Sequence, residues 1–347
     1  MMKTGQRTYA GVDLGGTNFT AALAGADGRI LAEEKQPTLA HQGPDGVLRR
    51  IADTIQRLAD GLGRKPTAIG IGIPGLVDRE KGVTRFLPNL PTQWRDVPVS
   101  DRLGRRFGCP VRLLNDARAA TLGESRFGHG RRARTMILFT LGTGVGGGVV
   151  IDGTLRLGPL GAAGEIGHIC VEPGGLRCGC GARGCLETIA SGPALTAEGV
   201  RVALAGNAPK LHKLCGGNIG KISPQLLGKA ARAGDLGARA VLDRAGDLLG
   251  MAASAVVLAL HPELIVLGGG VASLGDLLIE PMRRSLVERV RMFPARGVRI
   301  ECSMLGDRSG VYGGLAAAMD GDQAPVVASP VKIHGRRAAN QRKGGRA

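Results

Sequence analysis

The sequence predicts an α/β protein built from two related lobes, with a cleft for a small ligand between them. Each half of the chain opens with strand, glycine turn, strand, turn and strand, first at residues 8–31 and again from Thr135. Each opening is followed by alternating helical and strand patterns, which indicates an internal repeat of the form βββαβαβα. The 347 residues are enough for two hydrophobic cores.

In the first half, RTYAGVDLGGTNFTAALAG and GRILAEEKQPT predict an antiparallel meander of three strands. Apolar residues at helical spacing predict a helix over 44–62, which Gly63 ends. Continuous apolar runs predict buried strands at 68–77 and 111–116, and ARAATLGESRFG predicts the helix that follows.

The second half repeats this order, starting with TMILFTLGTGVGGGVVIDGTLRLG. Its later elements are predicted as a long helix over about 236–260, the strand ELIVLGGG, a helix over about 275–292, the strand VRIECSML and a small-residue helix after Gly310. We therefore expect a small N-terminal lobe over 1–127, to which the last helix at about 308–320 returns, and a large lobe over 128–307.

Lys and Arg outnumber Asp and Glu by 46 to 29, for a formal net charge of +17. Six of these cations lie in the last 17 residues, which contain no acidic residue. We predict that 321–347 is a basic, disordered tail, and we expect no nucleic-acid partner from so weak a signal. The charge of the rest of the chain favours anionic ligands such as phosphates.

We expect a cytoplasmic protein without a membrane span. Met1 to Arg7 does not resemble a secretory signal, and the longest apolar run, 248–260, is too short to cross a bilayer. In a reducing compartment, clustered cysteines are better explained by a metal than by disulfides.

Three glycine turns follow predicted strands. In DLGGTN, Gly15 and Gly16 allow backbone N–H groups to approach a phosphate, Thr17 and Asn18 add side-chain donors, and Asp13 can hold the Mg²⁺ that accompanies a nucleotide. An ordinary hairpin turn is the alternative. The turn LGTGVGGG stands at the matching place in the second half, and LGGG at 267–270 is the third. Together they could clamp a triphosphate from both lobes.

Asn115 and Asp116 close a predicted strand and open a helix. Asp116 could serve only as the N-cap of that helix. If it lies at the cleft, it could instead accept the proton of an attacking hydroxyl, which phosphoryl transfer requires of its base.

The segment GEIGHICVEPGGLRCGCGARGCLE, at 164–187, concentrates reactive side chains without a regular period. Cys178, Cys180, Cys185 and His168 would make a closed tetrahedral zinc site with a structural role, and a redox-active C-x-C pair is the alternative. A metal there would also fix Glu165, His168 and Glu187, which are suited to hydrogen-bonding the vicinal hydroxyls of a sugar.

These motifs resemble the ROK family of repressors, open reading frames and kinases, within the hexokinase and actin-like ATPase superfamily. The resemblance covers residues 8–320, and GEIGH followed by C-x-C-G-x-x-G-C-L-E is its most specific part. DLGGTN, GIGIPGLVD, PNL and LLNDARAA occur in the expected order. The resemblance implies the two-lobed actin-like (ribonuclease H-like) fold and a sugar kinase that uses ATP and Mg²⁺, with a structural Zn²⁺.

The resemblance also implies roles for individual residues. Asp116 would be the general base for the primary hydroxyl of a hexose. His168 would offer one ring nitrogen to zinc and the other to the sugar. The remaining implied residues are Asn115, Glu165, Glu187, Gly75 and Asn89 for the sugar, Asp13, Gly15, Gly16, Thr17 and Asn18 for phosphate and Mg²⁺, Gly142, Thr143 and Gly144 for phosphates from the other lobe, and Gly268, Gly269 and Gly270 near the nucleoside.

The implied substrate is glucose, since GIPGLVD with PNLPTQW resembles the glucokinases of the family. Fructose, mannose or an N-acetylhexosamine are the alternative acceptors, and polyphosphate is an alternative donor. A sugar-responsive repressor is the alternative function, although the phosphate turn at Asp13 leaves no room before it for a helix-turn-helix domain. The family often forms dimers or tetramers, so we expect a homodimer or homotetramer.

Overall fold

The structure is a computed structural model that describes residues 7–87, 90–91, 94–158 and 161–320. The N-terminal lobe is built on a five-stranded sheet in the order β3-β2-β1-β4-β7. β1, β4 and β7 run parallel, and β1, β2 and β3 form the predicted antiparallel meander. Its elements are β1 (Thr8–Leu14), β2 (Asn18–Gly25), β3 (Ile30–Pro37), α1 (Gly43–Leu62), β4 (Ala68–Ile73), β5 (Leu76–Asp78), β6 (Val83–Phe86), α2 (Val99–Phe107), β7 (Val111–Asn115) and α3 (Asp116–Phe127).

The C-terminal lobe repeats this sheet in the order β10-β9-β8-β11-β12. β8, β11 and β12 are parallel, and β8, β9 and β10 form a second antiparallel meander. Its elements are β8 (Met136–Leu141), β9 (Val145–Ile151), β10 (Thr154–Arg156), α4 (Glu187–Ala190), α5 (Gly192–Leu204), α6 (Pro209–Leu214), α7 (Pro224–Arg232), α8 (Leu236–Leu260), β11 (Leu264–Gly268), α9 (Asp276–Arg289), β12 (Arg299–Cys302) and α10 (Ser309–Met319).

The matched strand orders confirm the predicted duplication and fold class. Sequence patterns located most helices closely. α1 ends at Leu62 and is capped, as predicted, by Gly63, whose φ of 62° is the left-handed conformation that favours glycine at a helix end. The helices between β10 and α8 have no counterpart in the first half, and they were not predicted. They pack in the large core beside α8.

One predicted strand was too long. The run 68–77 divides into β4 and β5, because Pro74 has no N–H to donate and Gly75 has a φ of 136°. β5 then pairs with β6 as a separate hairpin beside the cleft. The break therefore turns the chain away from the sheet at the end of β4.

α10, the last helix of the described residues, packs against β1, β4 and α3. Glycines on both sides allow this close approach: a Cβ on Gly70 of β4 would overlap backbone of α10, and one on Gly313 of α10 would overlap backbone of α3. Asn89 and the tail at 321–347 lie outside the described residues. In the described ranges we find no helix with the length and apolar character that a membrane span needs.

Candidate active site

A cavity of about 890 Å³ opens between the lobes, at the carboxyl ends of parallel strands in both sheets. Ligands of α/β proteins bind at this end of the strands. The cavity brings together residues that are up to about 250 positions apart in the chain. Its lining includes these predicted site residues: Gly15, Gly16, Thr17, Gly75, Asn115, Asp116, Gly142, Thr143, Gly144, Glu165, His168, Glu187 and Gly269.

The first glycine turn joins β1 to β2 and is fixed by two hydrogen bonds. Gly15 N donates to Asn18 O at 3.0 Å, and Thr38 Oγ1 donates to Gly15 O at 2.7 Å. The turn therefore presents Gly16 and Thr17 to the cavity in a defined conformation. Asn18 is exposed at the start of β2 and does not line the cavity.

Asp13 lies at the end of β1, close to this turn, and its side chain is only partly exposed. Burial, and then the charge of Asp116, raise the pKa of Asp13 to about 6. Gly310 leaves room for this side chain, because a Cβ there would overlap the Asp13 carboxylate unless the carboxylate moved. The fold thus holds two carboxyl groups, Asp13 and Asp116, near enough to repel each other, which a cation between them would relieve.

Asn115, rather than Asp116, is the N-cap of α3: its side chain accepts from Ala117 N and Arg118 N. Asp116 is the first helical residue and faces the cavity. Its Oδ1 accepts from Asn115 Nδ2 and Ala117 N, both at 2.8 Å. Among the described residues, no hydrogen bond reaches Oδ2, so this oxygen can accept one from a ligand. Burial raises the pKa of Asp116, in the direction that suits a base near neutral pH.

Arg118 is a site residue that the sequence analysis missed. Only 1% of it is exposed, yet it lines the cavity. Its guanidinium donates from Nη1 to Asn115 Oδ1 at 3.2 Å and from Nη2 to Glu165 Oε1 at 2.7 Å. The signal was available: ARAATLG is otherwise composed of small or apolar side chains, so one arginine there needs a buried partner.

The second glycine turn joins β8 to β9, and Glu187 supports it. Glu187 Oε2 accepts from Val145 N at 2.9 Å, and a Cβ on Gly144 would overlap that same oxygen. Glu187 therefore connects the turn with the loop that precedes α4, and it still lines the cavity. In the third turn, Gly269 has a φ of 84° and reaches the cavity, whereas Gly268 and Gly270 lie outside its lining.

The loop before α4 gathers the four predicted metal ligands. One ligand atom from each of His168, Cys178, Cys180 and Cys185 lies within 4.8 Å of all the others. His168 Nδ1 is 3.6 Å from Cys178 Sγ, and Cys180 Sγ is 3.7 Å from Cys185 Sγ. Tetrahedral zinc, with Zn–S near 2.3 Å and Zn–N near 2.0 Å, gives edges of roughly 3.5–3.8 Å. The four side chains therefore fit a zinc ion.

Thiol chemistry agrees with this geometry. Burial and the neighbouring cysteines raise the pKa of Cys185 to about 12, so the protein alone would keep this thiol protonated at neutral pH. A bound cation would lower the pKa of this thiol and stabilise the thiolate. The other ring nitrogen of His168, Nε2, lies 3.8 Å from Glu165 Oε2 on the cavity side. Its two nitrogens thus face the thiol cluster and the cavity respectively.

Comparison with known proteins finds relatives that match almost the whole chain. A glucokinase from Thermotoga maritima is 41% identical over 308 residues, which cover 87% of this chain and 94% of that protein. A ROK family glucokinase from Streptomyces griseus, solved with glucose and AMPPNP, is 35% identical with a TM-score of 0.77, covering 90% of this chain and 99% of that one. A xylose repressor from Caldicellulosiruptor bescii is 29% identical over 309 residues, which cover 88% of this chain and 76% of the repressor.

The family model of the ROK family matches residues 9–320, the same span as the two sheets, the candidate active site and the thiol cluster. The identification made from the glycine turns and the cysteine loop is therefore confirmed. This chain belongs to the ROK family.

Proposed function

We propose that the protein is an ATP-dependent hexose kinase that phosphorylates the 6-hydroxyl of glucose. The observation that carries this proposal is the single cavity in which Asp116 faces glycine turns from both lobes and the polar side chains of Glu165, His168 and Glu187. Relatives named glucokinases, one of them solved with glucose and an ATP analogue, support the choice of acceptor and donor.

In this proposal Asp116 is the general base. Its Oδ2 would accept the proton of the sugar hydroxyl, while the two hydrogen bonds at Oδ1 hold the carboxylate in place. Asn115, Glu165, His168, Glu187 and Gly75 would bind the other hydroxyls. Asn89, outside the described residues, is proposed for the same pocket on resemblance alone.

The glycine turns would bind the phosphates of ATP through backbone N–H groups. Gly15, Gly16 and Thr17 act from the N-terminal lobe, and Gly142, Thr143 and Gly144 act from the C-terminal lobe. We also propose that Asn18 lies near the phosphates and that the third turn lies near the nucleoside, through Gly268, Gly269 and Gly270. Mg²⁺, held at Asp13, would supply positive charge to the transferring group.

A structural zinc ion at His168, Cys178, Cys180 and Cys185 would fix the loop that carries the sugar ligands. We further propose lobes over 1–127 and 128–307, with the last helix returning to the first, as the separate sheets suggest. A cytoplasmic location fits an enzyme that uses ATP and keeps a reduced thiol cluster. A homodimer or homotetramer without a nucleic-acid partner remains our expectation.

A coupled ADP-release assay tests the function. With ATP and Mg²⁺, we expect turnover of glucose to exceed that of mannose, fructose, N-acetylglucosamine and N-acetylmannosamine. Preference for another of these sugars would identify that sugar as the substrate. Turnover with polyphosphate but not with ATP would identify polyphosphate as the donor. Binding of a sugar without turnover under any donor would contradict catalysis and favour a sugar-responsive regulator.

The base is tested by Asp116→Asn, which keeps the size of the side chain. We expect kcat to fall by about 10²- to 10⁴-fold while glucose still binds, because the amide cannot accept the proton. The control is Asp27→Asn, at an exposed turn whose Oδ1 accepts from Arg29 N and would do so as an amide. Near-normal turnover by Asp116→Asn would show that Asp116 is not the general base.

A further inference from the structure

A second cavity, of about 620 Å³, lies between the lobes and shares no lining residue with the candidate active site. The two cavities meet different parts of α3: Asp116 and Arg118 reach the first, and Leu122, Ser125 and Arg126 reach the second. The remaining walls come from the β5–β6 turn, the 3₁₀ turn after α3, the β9–β10 hairpin and the end of α10.

Arginines dominate the charge of this second cavity. Its lining contains five of them from three separate segments, and Asp320 is the one acidic residue that lines it in the described part of the chain. The five are Arg79, Arg126, Arg131, Arg132 and Arg134.

Only part of this positive charge is neutralised within the protein. Arg126 is paired with Asp320, and Arg134 Nη2 lies 2.6 Å from Asp152 Oδ1. Across residues 7–87, 90–91, 94–158 and 161–320, the side chains of Arg131 and Arg132 make no ion pair. Burial lowers the pKa of Arg79, as expected for a cation crowded into a recess.

The floor of the cavity is apolar. Leu114, Leu122, Leu155 and Ala317 line it, and the first two are almost fully buried. An apolar floor lowers the local dielectric constant, so that the arginines act more strongly on an anion than they would on an open surface.

Guanidinium groups bind phosphate oxygens through paired N–H donors, and several arginines from different directions suit an anion with more than one phosphate group. We propose that this cavity is a second anion site, distinct from the candidate active site, which binds a compound carrying two or more phosphate groups. The ligand would contact Arg79 of the N-terminal lobe together with Arg131 and Arg132, which lie at the start of the proposed second lobe. Binding would therefore bridge the lobes.

The test is calorimetric titration of the full-length protein with tripolyphosphate and, separately, with fructose 1,6-bisphosphate. Arg131→Gln/Arg132→Gln removes two of the three lining arginines that make no ion pair with a described residue, and both positions are exposed. We expect this double variant to bind the preferred probe about tenfold more weakly or worse, since two charge-assisted hydrogen bonds are lost. Tighter binding of tripolyphosphate would identify a phosphate chain as the ligand, and tighter binding of the bisphosphate a phosphorylated sugar.

Two matched double variants separate a built site from general attraction to a basic protein. Arg291→Gln/Arg296→Gln removes two exposed arginines elsewhere on the C-terminal lobe, and Arg336→Gln/Arg337→Gln removes two from the tail. Both should bind like wild type. Equal weakening in all three pairs, an unchanged affinity in Arg131→Gln/Arg132→Gln, or no binding of either probe would overturn the proposal. Arg131 and Arg132 lie outside the lining of the candidate active site, so an unchanged affinity in their double variant leaves the kinase proposal untouched.

Discussion

At the scale of single residues, the buried side chain of Arg118 holds other side chains of the candidate active site in place. It is a positioning residue, because its guanidinium bonds to Asn115 and Glu165, which we propose as sugar ligands. Its charge also acts on the proposed base: burial raises the pKa of Asp116, while Ala117 N–H and the Arg118 cation lower it. One buried cation thus fixes two side chains and limits the basicity of a third.

Arg118→Met tests this role through the pH dependence of kcat. A base must be deprotonated, so kcat falls as the pH decreases through the pKa of Asp116. Removing the cation raises that pKa further, so the acid limb of the profile should move to higher pH. We also expect the KM for glucose to rise by about tenfold, because Glu165 loses a charge-assisted hydrogen bond.

Arg118→Lys is the matched control, since it keeps the charge but not the two-armed geometry. Its acid limb should stay near that of wild type, while its KM rises. Identical pH profiles for the methionine and lysine variants would show that Arg118 is merely structural. The same conclusion would follow if both variants differed from wild type only in stability, measured as unfolding by circular dichroism.

At the scale of elements, the loop 164–187 depends on glycine and, we propose, on metal. Gly167 packs so closely on β9 that a Cβ would overlap Val145 O, and Gly184 is constrained in the same way by Glu172 O. Ile166, Val171 and Leu186 anchor the loop in the large core, and close backbone packing and the thiol cluster hold the glycine-rich stretch between Val171 and Leu186. Because Glu187 also supports the second glycine turn, disorder in this loop would reach both proposed substrates.

We expect elemental analysis to find about one zinc ion per chain, lost in Cys180→Ser together with a lower Tm. Cys170→Ser is the matched control, because Cys170 is exposed in the same loop but outside the cluster. It should keep its zinc. A full zinc complement in Cys180→Ser, or none in wild type, would rule out the proposed site.

At the scale of the whole molecule, α3 and α10 cross where the lobes join, and small residues set their distance. A Cβ on Gly313 would overlap Ala119 O, and one on Gly123 would lie 2.5 Å from Ser309 O. Beside this crossing, Glu124 is fully buried and accepts from Leu305 N at 3.0 Å and from Ser303 Oγ. The crossing therefore joins α3 firmly to the segment that enters α10.

Gly313→Ala should destabilise the protein by about 1–3 kcal/mol in urea unfolding, because the added methyl meets backbone that cannot move independently. Gly61→Ala is the control. It changes the same atoms within α1, where nothing lies within 4 Å, so it should be neutral or stabilise by up to about 1 kcal/mol. Equal stability of the two variants would show that the crossing tolerates a wider separation.

Local patterns in the sequence were sufficient to predict the duplicated lobes, the three glycine turns and the family, and they singled out the four residues that the structure gathers in the thiol cluster. These features depend on local chemistry: hydrophobic period, the conformational freedom of glycine, and cysteines at close spacing. Asp116 could be located at a strand end, but whether it was a cap or a base candidate could not be decided, because its neighbour Asn115 can fill the same cap.

Which of these groups meet depends on contacts between elements that are distant in the chain. The cavity joins Gly15, Asp116 and His168 from distant parts of the chain, and it leaves Asn18, Gly268 and Gly270 outside its lining. Arg118 was missed although ARAATLG held the signal of one arginine among small and apolar side chains. The arginine-lined second cavity was not predicted, because the sequence does not show which surface arginines are left without an ion pair or turned toward a common recess. Those properties come from packing between elements, which local patterns do not encode.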